Sequence, residues 1–121
     1  MLYTPQYMRH FQTPQNIGDL DDAQAVEEVH FTGQGCFDRI RIFARLDDGK
    51  IAKVTYRVRG CSGTIAACSA MSELAVGLPL EQAASLQGEE IARELGGVPD
   101  RKRHSVDLAA EALRTVAAKL K

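Results

Sequence analysis

Residues 39–59, which read RIRIFARLDDGKIAKVTYRVR, contain the pattern that decides the fold. In both halves of this stretch apolar side chains alternate with polar ones, which is the period of two expected for a half-buried strand. Between the halves, Asp48-Gly49 is a pair that readily adopts positive φ and is typical of a tight hairpin turn. The stretch therefore predicts two antiparallel strands with one apolar face and one polar face.

Further elements surround this hairpin. A first strand is predicted at residues 25–31, and Pro14 should end the first helix because proline disfavours helical geometry in the preceding residue. The predicted helices occupy residues 3–12, 62–77, 80–86 and 89–95. Ser105 is predicted to cap a last helix, which carries an apolar stripe of period 3.6. The fold class is therefore α+β, a small three-stranded antiparallel sheet with helices packed on one face, forming a single domain over residues 1–121.

The composition excludes several classes of function. The chain has 121 residues, is 45% hydrophobic and carries a net charge of −1, so it offers no broad basic field for nucleic acid or anionic membrane. No apolar run approaches the roughly 20 residues of a membrane-spanning helix, and the first residues lack a signal-peptide pattern. We therefore expect a cytoplasmic protein. Its three cysteines are an odd number, which argues against a disulfide framework.

Two short stretches each place a cysteine where its sulfur could bind a metal. Cys36 follows a glycine-rich turn, and Asp38 points to the same side if the chain is extended there. Cys61 lies between a strand and a helix, where unpaired N–H groups and the helix dipole favour a thiolate. Each has a plainer interpretation: a loop cysteine beside a solvated carboxylate, or a cysteine that fills a corner between strand and helix.

The other candidates are weaker when taken alone. His104 precedes the last helix and can bind a metal through one ring nitrogen, although a surface histidine is common at such a position. Cys68 lies two helical turns beyond Cys61, about 10.5 Å along the axis, which favours a buried core cysteine over a second ligand of one small centre. His10 and His30 are interpreted as structural or solvated.

In combination, these stretches resemble the IscU/NifU N-terminal type of iron–sulfur cluster assembly scaffold over residues 7–119. The resemblance rests on the order and spacing of four segments. They are Tyr7 to Gly18, similar to an aromatic-His-aromatic helix followed by Pro-x-Asn-x-Gly; Gly35-Cys36-Phe37-Asp38, similar to a Cys-Gly-Asp motif; Gly60-Cys61-Ser62-Gly63, similar to a Gly-Cys motif; and Leu95 to Ala109, which leads to a His-Cys motif.

The resemblance implies both a site and a role. Cys36, Asp38, Cys61 and His104 would bind iron and sulfide as a labile [2Fe–2S] cluster, which the scaffold passes to recipient apoproteins. A cysteine desulfurase would supply the sulfur, and the chain, a monomer or a dimer, would not be an enzyme. The same four groups also suit a tetrahedral Zn²⁺, so the alternative is a diverged zinc-binding or persulfide-accepting relative that regulates a desulfurase.

Three positions depart from the family pattern. Ser105 stands where the family has its third cysteine, and Phe37 replaces the small residue after the first cysteine, which puts a bulky group beside the site. Of the family's Leu-Pro-Pro-Val-Lys chaperone-recognition stretch only Pro99 and Lys102 remain, so the resemblance does not support recognition by a dedicated Hsp70-type chaperone.

Overall fold

A computed structural model describes residues 3–33 and 35–121 of the chain. The three strands pair antiparallel in the order β1-β2-β3. Their bounds are Ala25–Gly33 for β1, Cys36–Asp47 for β2 and Lys50–Arg59 for β3. Asp48 and Gly49 have φ angles of 54° and 74°, the positive values that a tight two-residue hairpin turn needs. The α+β class and the hairpin are therefore confirmed, whereas Gln34 of the predicted glycine turn lies outside the described residues.

The helices cover the apolar face of the sheet. They are α1 (Pro5–Gln12), α2 (Ser62–Ala75), α3 (Leu80–Ala83), α4 (Gly88–Glu94) and α5 (Arg103–Leu120), with a 3₁₀ turn at Asp100–Lys102. Helix α5 contacts β1 and β2, and α2 contacts β3. Ile42, Tyr56, Met71 and Leu113 are fully buried between these layers. Within the described part of the chain, none of the helices combines the length and the apolar composition needed to cross a bilayer.

The start of α5 differs from the sequence expectation. The prediction that Ser105 caps this helix is wrong. Helix α5 begins at Arg103, and its N-cap residue is Lys102 at the end of the 3₁₀ turn. Ser105 lies in the first turn of the helix and is 1% exposed. Its hydroxyl is near Thr64 and Cys61 at the start of α2, so it is not available to cap its own helix.

His10 fixes α1 against α2 and is structural rather than solvated. Its Nδ1 lies 2.7 Å from Ser69 Oγ, and its Nε2 lies 3.0 Å from a guanidinium nitrogen of Arg9. Because a guanidinium can only donate, Nε2 accepts and Nδ1 donates, which requires a neutral imidazole. Burial, and then the charge of Arg9, lower the pKa of His10, while Glu73 and Glu94 act in the opposite direction. His30, by contrast, is exposed and pairs with Glu28.

This lowered pKa predicts a loss of stability in acid. The unfolded chain protonates histidine near pH 6.5, whereas the lowered pKa of folded His10 means that it takes up its proton only at a lower pH, so the free energy of unfolding should fall as the pH drops below about 6.5. His10→Gln removes the titrating group, and its stability should therefore fall less steeply between about pH 7 and pH 5. Urea unfolding across this range measures the slope, with the exposed His30→Gln as control. Equal slopes in all three proteins would contradict the prediction.

Candidate metal centre

Three chain segments meet at one end of the sheet and bring two thiols and an imidazole together. Cys36 is the first residue of β2, Cys61 is the N-cap residue of α2, and His104 is the second residue of α5. One ligand atom from each lies within 4.8 Å of the other two. The thiols of Cys36 and Cys61 are half-buried and free. This spacing suits side chains that bind one metal ion or a small cluster.

Asp38 lies beneath this group. It shares a face of β2 with Cys36 and is fully buried. Its Oδ1 accepts a hydrogen bond of 3.2 Å from the Cys61 N–H, and its Oδ2 lies 3.2 Å from His104 Nε2. Asp38 therefore holds the start of α2 and the start of α5 against β2, and connects the residues on either side of it.

Two buried atoms at this centre have no hydrogen bond within the described residues. They are His104 Nδ1 and Asp38 Oδ2, whose 3.2 Å contact with His104 Nε2 lacks the angles of a hydrogen bond. Buried polar atoms in folded proteins are nearly always hydrogen-bonded, so each exception needs an explanation. A carboxylate oxygen and an imidazole nitrogen can both bind a metal. Two such atoms that lack hydrogen bonds and lie next to two thiols fit a site that accepts a metal ion.

Two glycines make room for the centre. A Cβ on Gly60 would lie 2.2 Å from Asp38 Oδ1, and a Cβ on Gly63 would lie 2.8 Å from Ser105 Oγ. Gly60 is therefore more than the strand breaker that its position after β3 suggests, because it allows the buried carboxylate to approach the backbone. Only the Gly-Cys motif itself could have pointed to this role from the sequence.

Hydroxyl groups surround the thiol of Cys61. Ser105 Oγ and Thr64 Oγ1 each lie 3.6 Å from the sulfur and 3.1 Å from each other. Burial opposes ionisation, but hydrogen bonds from Ser105 and Thr64 and the nearby ammonium of Lys102 outweigh it and lower the pKa of Cys61 to about 6. Cys61 is therefore largely a thiolate at neutral pH. Sequence reasoning identified the helix start but missed Thr64.

The remaining predicted residues differ in how exposed their side chains are. His104 is not a surface residue: its side chain is 6% exposed and stacks on Phe31 at a centroid distance of 4.6 Å. Phe37 was expected beside the site, but it is 55% exposed because it alternates with Cys36 and Asp38 and so faces the other side of the sheet. Cys68 is fully buried, and burial raises the pKa of its thiol, as expected for a core cysteine.

The close approach of Gly60 to Asp38 predicts strong coupling between these two positions. Gly60→Ala forces the buried carboxylate to move and should destabilise the protein by about 1–3 kcal/mol. In the Asp38→Ala background most of this cost should disappear, because the clashing oxygen is gone. Denaturant unfolding of the four proteins measures the coupling. Independent, additive effects would show that the two residues do not press on each other.

The hydroxyl groups around Cys61 predict selective alkylation. In the metal-free protein, the rate of iodoacetamide labelling at Cys61 should rise with a midpoint near pH 6, and Ser105→Ala should move this midpoint upward. Peptide mass spectrometry follows each cysteine separately, and Cys68 should remain unlabelled until the protein unfolds. A Cys61 midpoint that does not respond to Ser105→Ala would contradict the assignment.

Comparisons with known sequences show to which family the chain belongs. The model of the NifU-like N terminal domain matches residues 2–121. The chain is 34% identical to the iron-sulfur cluster assembly scaffold protein IscU 1 of Archaeoglobus fulgidus over 93% of this chain and 72% of that protein. It is 32% identical to the scaffold protein IscU of Aquifex aeolicus, over 92% of this chain and 71% of that protein.

Solved structures show the same fold. The N-terminal part of a nitrogen-fixing NifU-like protein from Brucella abortus superposes with a TM-score of 0.74 at 17% identity, covering 97% of this chain and 92% of that chain. A putative scaffold protein for the SUF system from Fervidobacterium islandicum superposes with a TM-score of 0.70 at 18% identity, covering 95% of this chain and 96% of that chain. From its match over nearly the whole length and its identity to the IscU proteins, the chain belongs to the family of NifU-like N-terminal domains.

Proposed function

We propose that this chain is an iron–sulfur cluster assembly scaffold, which binds iron and sulfide as a labile [2Fe–2S] cluster and transfers the cluster to apoproteins. The observation that carries this proposal is the convergence of Cys36, Cys61 and His104, whose ligand atoms lie within 4.8 Å of one another. Relatives at 34% and 32% identity are named as scaffolds of this kind, which supports the same role here. In this role the chain turns over no substrate of its own, so we class it as a non-enzyme.

The donor set favours a cluster that is held weakly. Two thiolates and one imidazole are ligands that cluster iron prefers, and Asp38 is the proposed fourth ligand. To reach the iron, the Asp38 carboxylate must give up the Cys61 N–H and His104, which lie 3.2 Å from its two oxygens. Ser105 has a hydroxyl of little acidity where a third thiolate would bind. A site with an oxygen ligand and two thiolates releases its cargo more readily than one with three thiolates.

Sulfur delivery would use the same thiolates. A cysteine desulfurase presents a persulfide, and the thiolate of Cys61 or Cys36 attacks its outer sulfur. The S–S bond of the donor then breaks, and the donor cysteine leaves as a thiolate. Cys61 is suited to this attack because it is half-buried rather than enclosed and because its pKa is lowered to about 6.

A second candidate function rests on Ser105. With only two thiolates, the centre offers two sulfurs, one nitrogen and one carboxylate, which also satisfies a tetrahedral Zn²⁺. A zinc-holding or persulfide-accepting protein that regulates a desulfurase would retain these residues without assembling a cluster. Tight, stoichiometric zinc that ferrous iron does not displace would favour this second candidate.

Anaerobic reconstitution tests the proposal. The metal-free chain, incubated with ferrous iron, cysteine, a desulfurase and dithiothreitol as electron donor, should develop the visible absorption of a [2Fe–2S] cluster. Cys36→Ala, Cys61→Ala and His104→Ala should each abolish most of it. Cys68→Ala is the matched control, because it removes a thiol that is fully buried in the core and should leave the cluster intact.

The variant Ser105→Cys tests whether a third thiolate makes the cluster more stable. Restoring a third thiolate should slow the loss of the cluster to a chelator by about tenfold or more, within the range by which changes around a metal alter its affinity. The proposal fails if neither the native chain nor Ser105→Cys forms an absorbing cluster while both remain folded.

A further inference from the structure

Four arginines form two facing pairs on the exposed side of the sheet. The register of β2 and β3 places Arg39 opposite Arg59 and Arg41 opposite Arg57. All four side chains are exposed, and they line a shallow cleft of about 280 Å³. We call this surface, defined by Arg39, Arg41, Arg57 and Arg59, the arginine face.

The positive charge of the arginine face is mostly unbalanced. Arg57 pairs with Asp19, at 2.7 Å. For the other three arginines, the described residues offer no carboxylate within 4.0 Å. Glu28 lies opposite Arg41 on β1 and lines the same cleft, with its carboxylate 3.1 Å from His30. Four arginines therefore face two carboxylates, which leaves an excess of positive charge on one surface of a chain whose net charge is −1.

Folding does not explain this arrangement. Like charges directly opposite each other on neighbouring strands destabilise a sheet, so the Arg39–Arg59 pair is unfavourable for the free protein. At the second pair, Arg57 has its ion pair with Asp19, and the Arg41 guanidinium lies 5.9 Å from the centre of the Phe43 ring, which offsets part of the cost. Basic residues can protect the edge of a sheet from pairing with another chain. However, Arg39 and Arg41 lie on β2, the central strand, where there is no edge to protect. The arginine face is therefore better explained by something that binds to it.

The spacing of the four arginines suggests the chemistry of the partner. Opposite residues of an antiparallel pair have Cβ atoms about 5 Å apart, and alternate residues along a strand are about 7 Å apart. Acidic side chains at alternate positions of an extended segment have the same spacing of about 7 Å. Each guanidinium can bind a carboxylate through two parallel hydrogen bonds. We propose that the arginine face docks an acidic segment of a partner protein.

An acidic protein segment fits better than a nucleic acid. Domains that bind nucleic acid usually combine a basic patch with a strongly basic pI, whereas this chain has a net charge of −1 and a pI of about 6.3. The arginine face lies on the other side of the sheet from the metal centre, since Asp38 points toward the helices and Arg39, the next residue, points away from them. A partner docked there would leave the centre uncovered, and docking itself needs neither metal nor cluster.

Peptide binding to the metal-free full chain tests this proposal. The probe is a fluorescein-labelled ten-residue peptide in which Glu and Thr alternate, followed by anisotropy at low ionic strength. Arg41→Gln with Arg57→Gln should weaken binding about fivefold or more, the sum expected for two exposed ion pairs. The control, Arg93→Gln with Lys121→Gln, removes the same charge elsewhere and should change binding by less than about twofold.

A charge reversal and a stability measurement complete the test. Arg41→Glu with Arg57→Glu should lose the acidic peptide and bind a peptide of alternating Lys and Thr. The melting temperature of Arg39→Gln with Arg59→Gln should equal or exceed that of the native chain, because this opposed pair has no ion pair to lose within the described residues. The proposal is overturned if the control pair weakens binding equally, if Arg39→Gln with Arg59→Gln melts lower than the native chain, or if an RNA oligonucleotide of equal charge binds more tightly than the acidic peptide.

Discussion

The site and its surroundings depend on the contacts that the buried carboxylate of Asp38 makes. A charged group without water is costly unless it is paired, and here its partners come from two other segments of the chain. One oxygen accepts the Cys61 N–H and the other lies beside His104. Because Gly60 has no Cβ, the backbone can come close enough for the first of these contacts. The strand, the start of α2 and the start of α5 are thereby held at one point.

The sequence predicts what is encoded locally. Alternation in residues 39–59 is enough for the hairpin, although it does not predict the burial of every side chain. Phe43 and Thr55, which lie opposite each other on the outward side of the sheet, are buried as well. The first turn of α5 is different, because Ser105 looks like a cap by type and position. Its hydroxyl instead bonds Thr64 and Cys61, which are distant in the chain, so no local pattern shows that it is already engaged. His10 is similar: its burial depends on Ser69, which lies on another helix.

The resemblance implies a cysteine at position 105, and the hydroxyl that stands there instead would change more than the number of thiols at the site. A serine hydroxyl is a poor ligand, but it can donate a hydrogen bond to the neighbouring sulfur. Together with Thr64 and Lys102 it stabilises Cys61 as a thiolate against the effect of burial. Compared with the cysteine that the resemblance implies, Ser105 would give the site one strong ligand fewer and would leave the Cys61 thiolate more available. In the proposed scaffold, both effects favour a site that takes up sulfur readily and does not hold its cargo tightly.

The two faces of β2 link the metal centre to the arginine face. Cys36, Asp38 and Ile40 point toward the helices, and Phe37, Arg39 and Arg41 point the other way. Since side chains alternate strictly along a strand, a slip of one residue in register would bury the arginines and expose the carboxylate. Such a slip would remove the contact with Cys61 and expose apolar side chains of the core. The register that stabilises the fold is therefore also the one that positions the proposed ligands on one side of the sheet and exposes the arginines on the other.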